Sequence, residues 1–269
     1  MNDNIPIMNK RSCYRYDGSV FIESIAEVAS EFALTVYVNH DEFATLVCTP
    51  SSLEDLIIGF LASEGIIRDY EEIESLIIDS DKGFAYVNLL DQAEINTAMF
   101  TKRRVTSCCG KGRISYYYAS DAGIVRPIES SLRMLPKQVL DHMSELILSS
   151  ETHRITGGVH NAGLCGAAGL LLSAFDIGRH NALDKIYGAC LRDRVPTLDK
   201  SLIISGRISS EMVLKTAKIG CPLLLSKSAP TDLAIRLADE LGITLVGFIR
   251  GNAFNVYTHP DRVNAINIT

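Results

Sequence analysis

From Phe32 to Val38 apolar and polar residues alternate with the period of a half-buried strand. Phe43–Cys48 repeats the pattern after the polar turn Asn39-His40-Asp41-Glu42, which predicts a hairpin. The period then changes. Leu53, Leu56, Ile57, Phe60 and Leu61 fall on one helical face, with Ser51 and Glu54 at capping-box spacing before them and Gly65 behind. Ser75–Asp79 and Phe84–Leu90 read as further strands, the acidic run Asp69–Glu74 as a solvated helix face, and residues 137–149 as a helix. The first thirty residues show no sustained period and are expected to form an irregular lead-in.

Beyond residue 160 strands and helices alternate. Gly169–Phe175 reads as a strand, and a helix opening at Asn181 turns Leu183, Ile186, Tyr187, Cys190 and Leu191 inward. Leu202–Ser205 is the next strand, followed by a helix over Ser209–Ile219 that Gly220 ends. Leu223–Ser226, a helix from Thr231 with Ala234, Leu237, Ala238 and Leu241 inward, Gly242 and the strand Ile243–Phe248 complete the series. Strand–helix alternation with short connections predicts an α/β layer with parallel pairs. The chain therefore divides into a lead-in (1–30), a small α+β domain (31–130) and an α/β domain (131–269).

Composition narrows the function. With 269 residues, 47% hydrophobic and 22% charged, the chain has material for a sizeable core. Its net charge of −6 argues against a protein that coats nucleic acid. No apolar run approaches the roughly 18 residues of a membrane span. Met1-Asn2-Asp3-Asn4-Ile5-Pro6 lacks the charged start and apolar run of a secretion signal, so the seven cysteines are expected in a reducing cytoplasm. There is no Cys-x-x-Cys and no His-x-x-x-His pair, and no metal site is expected.

Two sets of residues carry candidate chemistry. Cys108 and Cys109 lie between Lys102, Arg103 and Arg104 and the run Gly110-Lys111-Gly112-Arg113. Cations favour a reactive thiolate and glycines let a loop present it. A vicinal disulfide, or two small side chains in a turn, fits the same spacing. The second set follows the strands: Asp176-Ile177-Gly178-Arg179-His180-Asn181, Ser205-Gly206-Arg207, Ser226-Lys227-Ser228-Ala229-Pro230-Thr231 and Phe248-Ile249-Arg250-Gly251-Asn252. Ligands of parallel α/β sheets sit beyond the carboxyl ends of the strands, where helix N-termini also open. A cation at each of four such ends predicts a phosphate-bearing ligand; loop polarity with helix caps at Asn181, Ser209 and Thr231 is the plainer reading. Among single residues, His160 stands in a glycine turn, Asp184 fits a helix dipole, Lys185 reads as solvated, and Tyr257-Thr258-His259-Pro260 closes a pocket or ends a strand.

Several stretches together resemble the formate dehydrogenase accessory sulfurtransferases, the FdhD/NarQ family. They are Thr49-Pro50, Gly59–Ile67, Thr156–His160, Asp176–Lys185, Ser205–Arg207, Ser226–Thr231, Gly247–Arg250 and Asn255–Pro260, and the likeness runs from about Phe32 to Arg262. The resemblance implies a cytidine-deaminase-like three-layer α/β domain without zinc ligands, a smaller N-terminal α+β domain, and a homodimer. It implies a sulfurtransferase that takes persulfide sulfur from a cysteine desulfurase and passes it to the molybdenum cofactor, bis(molybdopterin guanine dinucleotide), for formate dehydrogenase. A carrier that only holds and delivers the cofactor is the alternative. Many members carry Ser-Cys-Gly-x-Cys-Gly, where this chain has Ser107-Cys108-Cys109-Gly110-Lys111-Gly112; Cys109 is the first choice for the persulfide and Cys108 the alternate. The family's cofactor stretch carries over to Phe248, Ile249, Arg250, Gly251, Asn252 and Ala253. Gly178, Arg179, His180, Asn181, Ser205, Gly206, Arg207, Ser226, Lys227 and Ser228 join it by position and charge.

Overall fold

The computed structural model describes residues 5–90, 103–105 and 125–263. Strands β1 (Met8–Tyr16) and β2 (Phe21–Ala29) form an antiparallel ribbon, where an irregular lead-in was expected. Asp17 closes its tip by accepting from the Ser19 and Val20 amides at 2.9 and 3.0 Å. Neither face of the ribbon is deeply buried, so no burial period marks it in the sequence.

β3 (Phe32–Val38) and β4 (Asp41–Cys48) form the expected hairpin, with Asn39 and His40 both at positive φ as a tight two-residue turn requires. β5 (Ile73–Asp79), β6 (Phe84–Leu89) and β7 (Arg103–Val105) extend it to a five-stranded sheet of order 5-6-3-4-7. The acidic run before β5 is a single 3-10 turn, Tyr70–Glu72, rather than a helix face; Glu72 accepts there from the Arg68 and Asp69 amides.

Helix α1 (Leu53–Glu64) buries the five predicted residues and ends at Gly65 with φ 77°. Its capping box does not form. The helix begins one residue later than that spacing needs, at Ser52, and the Ser51 hydroxyl accepts instead from Lys185 Nζ.

The second half contains α2 (Pro136–Ser149), α3 (Glu151–Thr156), β8 (His160–Gly166), β9 (Gly169–Asp176), α4 (Arg179–Arg192), β10 (Ser201–Ile204), α5 (Ser210–Ile219), β11 (Leu223–Ser226), α6 (Asp232–Glu240), β12 (Thr244–Arg250) and β13 (Ala253–Val256). The sheet order is 13-12-11-10-8-9, with β10, β11 and β12 parallel and β8 antiparallel to both neighbours. Alternate residues face opposite layers. Leu164, Leu202, Ile204, Leu224 and Leu245 join the cluster that holds α1, α4, α5 and α6; Cys165, Ile203, Leu223, Leu225 and Val246 pack with Val139, Met143 and Leu146 of α2. The larger cluster also takes in Leu34, Val36, Leu46 and Val87 of the five-stranded sheet, so one apolar core runs through both halves.

Helices α1 and α4 touch through their backbones. A Cβ on Gly59 would collide with the Asp184 carbonyl, and one on Gly188 with the Asp55 carbonyl. This close approach lets the helices fill the space between the sheets.

Candidate functional site

Because β8 reverses direction on both sides, β9, β10, β11 and β12 all end at one edge. The four expected loops therefore meet there, and short-range bonds stitch them. Ser205 Oγ accepts from the Asn161 amide at 3.0 Å, Ser228 Oγ donates to the Ser205 carbonyl at 3.0 Å, and Ser226 Oγ donates to the Gly206 carbonyl at 2.6 Å. The Phe248 amide donates to the Ser228 carbonyl at 3.1 Å. Gly178, Asn181, Gly206, Ser226 and Ile249 are buried and frame the loops, whereas Arg207, Lys227, Arg250, Gly251, Asn252 and Ala253 are exposed at the tips.

Gly206 packs closely against the loop that follows β9 and the start of β8. A Cβ there would lie 3.2 Å from His160 Nδ1 and 3.4 Å from Arg179 Cδ. Arg179 Nε is buried with no hydrogen-bond partner among the described residues, an N–H left over from the fold's own bonding. His180 Nε2 lies 2.9 Å from Glu211 Oε2, and this contact holds the Glu211 carboxyl below the usual range. Burial, then the neighbouring Arg179, pushes the His160 imidazole down. His160, expected in a tight turn, opens β8 opposite Asp176.

Phe248 has φ 55°, uncommon for a bulky side chain and costly to hold. It sits in the bulge between Gly247 and Arg250, its ring partly exposed and the Arg250 guanidinium 5.6 Å from the ring centroid. An exposed ring beside a cation can stack a base and hold a phosphate.

Charges that resemble surface residues in the sequence lie beneath this edge. Lys185, read as solvated, is 1% exposed, and Asp176 opposite it is fully buried, 2.8 Å from Nζ. Lys185 Nζ also donates to the carbonyls of Thr49 and Phe175 at 3.2 and 3.0 Å. Asp176 accepts from the amides of Thr49 and Gly178 and from Asn181 Nδ2, each at 2.9 Å. Asn181 is thus not the cap of α4. The helix begins two residues earlier, behind Gly178, and the Asn181 amide group reaches Asp176 and the Val47 carbonyl. Asp184, expected to serve the helix dipole, is buried against Lys215 and Ser63. Ser209 caps α5 by position without a side-chain bond, whereas the Thr231 hydroxyl accepts from the Ala234 amide. The Thr258 hydroxyl is buried in bonds to Ile243 and Leu245.

Cys108 and Cys109 lie outside the described residues. The strand that leads to them does not. β7 runs parallel to β4 with Val105 opposite Leu46, and β4 continues into Val47 and Thr49, the residues bonded to Asn181 and Asp176. Of the described cysteines, burial pushes Cys48, Cys165 and Cys190 up to about 12 and raises Cys221 well above the thiol range. No group of three or more His, Cys, Asp or Glu placed to hold a metal occurs among the described residues, and no helix there is long and apolar enough to cross a membrane.

Fold and edge together define a mixed α/β protein whose six-stranded sheet ends in a glycine-punctuated, cation-tipped edge. Residues 29–264 match the model of the FdhD/NarQ family, and the chain belongs to that family. It is 49% identical over 257 residues to the sulfur carrier protein FdhD of Bacillus licheniformis, covering 96% of this chain and 97% of that one. The FdhD protein of Bacillus subtilis is 48% identical over 263 residues, 98% of this chain and 99% of its own. The crystal structure of a candidate formate dehydrogenase accessory protein from Desulfotalea psychrophila superimposes with a TM-score of 0.80 at 26% identity, covering 96% of this chain and all of that one.

Proposed function

We propose that this chain is a cytoplasmic sulfur carrier of the sulfurtransferase type. It takes persulfide sulfur from a cysteine desulfurase and delivers it to bis(molybdopterin guanine dinucleotide), the cargo destined for formate dehydrogenase. The observation that carries this reading is the meeting of four cation-bearing loops at one sheet edge, with the Arg179 Nε–H unused beside Gly206. Arg179, Arg207, Lys227 and Arg250 are the cations for the cargo's phosphates, and Phe248 is the surface for a guanine. The names carried by its relatives support the sulfur role.

In the first step the thiolate of Cys109, or of Cys108, attacks the outer sulfur of the donor's persulfide. A new S–S bond forms on the carrier, the donor's S–S bond breaks, and the donor cysteine leaves as thiolate; no net oxidation occurs. Lys and Arg neighbours in the sequence favour the attacking thiolate. Delivery follows at the edge, toward which β7 leads the chain; three residues from Val105 to Cys108 span at most about 10 Å.

The test is the mass of the protein after incubation with a desulfurase and cysteine. One added sulfur on the peptide containing Cys108 and Cys109, lost in the double Cys→Ala variant, is the expected result. Sulfur uptake that survives the double exchange overturns the reading, and a double variant that still activates the client enzyme favours the pure cofactor carrier.

The same reading includes a homodimer, which the β1–β2 ribbon supports. Tyr14, Phe21 and Ile25 are 72%, 72% and 71% exposed on it. Its Lys10, Arg11 and Arg15 balance Asp17, Glu23 and Glu27, so the ribbon is neutral in a chain of net charge −6 and suits a second copy of itself.

A further inference from the structure

We propose that Asp176 and Lys185, together with Thr49, are positioning residues for the phosphate cradle. They hold Arg179 and His180 toward the crevice without touching the ligand. The inference rests on the phosphate-binding reading above and assigns the part of the molecule that sets that site's geometry.

The argument starts from where the loop is fastened. Ile177 N donates to Thr49 Oγ1 at 3.1 Å and Gly178 N to Asp176 Oδ1 at 2.9 Å. Asn181 Nδ2 donates to Asp176 Oδ1 and to the Val47 carbonyl, both at 2.9 Å. Residues 177, 178 and 181 are therefore pinned, and Arg179 and His180 stand between the pins. Three of these bonds end on one carboxylate or on the hydroxyl of Thr49, and that carboxylate is held by Lys185 at 2.8 Å. Lys185 shares its three N–H donors among that carboxylate and the oxygens of Thr49, Ser51 and Phe175. Removing two charges from water is expensive, and an apolar pair of similar volume stabilises a fold at least as well. Stability alone does not account for an ion pair at 1% and 0% exposure. Placement does, because an apolar pair could not receive the Thr49, Gly178 and Asn181 donors.

The hub also crosses the molecule. Thr49 and Ser51 follow β4, the neighbour of β7, so the bonds that fix the cradle are made to the segment beside the strand leading to the cysteines. The same contacts set the cradle and its distance from that strand.

GDP, the phosphate-bearing end of a guanine dinucleotide, is the probe. Calorimetric affinity and melting temperature are measured for the full-length wild type, D176N, K185M, the double variant D176N/K185M, and T49V. Each single charge variant is expected to melt lower, having left one buried charge unpaired. The double variant is expected to regain most of the melting temperature yet bind GDP at least tenfold more weakly, since a thioether and a neutral amide cannot donate and accept as the ion pair did. T49V removes only the acceptor of Ile177 N and is expected to melt within a few degrees of wild type with affinity down about fivefold, the worth of one hydrogen bond. Wild-type GDP affinity in both the double variant and T49V overturns the positioning role, and if the double variant does not fold, T49V alone decides it. Failure of the wild type to bind GDP overturns the phosphate-binding reading instead.

Discussion

Burial sorts the cysteines. Cys48, Cys165, Cys190 and Cys221 are buried, and loss of solvent holds their thiols protonated. Brief alkylation of the native protein at pH 8, read by peptide mass, should leave these four unmodified; label on them would contradict their placement. Histidines sort the response to acid. Burial holds His142 and His160 below the usual 6.5. The unfolded chain therefore takes up protons that the folded chain refuses, so stability is full above about pH 6.5 and falls as pH drops through that value toward the depressed folded pKa. Melting temperature should decline from pH 7 to pH 5, and H142Q should flatten the decline. Phe248 in the left-handed region carries strain that a glycine would relieve. F248G should melt no lower than wild type and bind GDP at least fivefold more weakly, through loss of roughly 1–3 kcal/mol of stacking.

At the scale of elements, the sequence shows clearly those strands and helices that have one face in a core. β3, β4 and α6 each alternate or repeat against buried neighbours, and their residues carry the period. β8 escapes because Gly163 and Gly166 interrupt its apolar run; Gly163 lies against Leu146 and Leu170, where an added Cβ would crowd them. The β1–β2 ribbon escapes for a different reason, having no core to face. The four cationic loops were legible as strand ends, but the pairing of Lys185 with Asp176 and with Thr49 was not. The Thr49 contacts join residues far apart in the chain, and a charged residue such as Lys185 or Asp176 shows no burial in its own letters. The glycines where α1 crosses α4 give an element-scale test. G59A should cost about 3 kcal/mol or more, because the obstructing atoms are backbone and cannot turn aside; thermal or urea unfolding measures it.

For the whole molecule, the two halves share one core, so unfolding should be a single cooperative transition seen alike by near-UV and far-UV circular dichroism. Two separate steps would show that the halves stand alone. Charge acts at this scale too. A sheet edge tipped by Arg207, Lys227 and Arg250 on a chain of net charge −6 should lose nucleotide affinity as salt rises.

The helix crossing reaches further than stability. Where main chain rests on main chain, neither helix can be exchanged for a relative's version unless the incoming helix brings its own glycine. A chimera that joins the first 130 residues of one homologue to the remainder of another should fold only when the first supplies glycine at the position of Gly59 and the second at the position of Gly188. Two small residues, one in each half, thus decide together whether the halves of different parents can be joined.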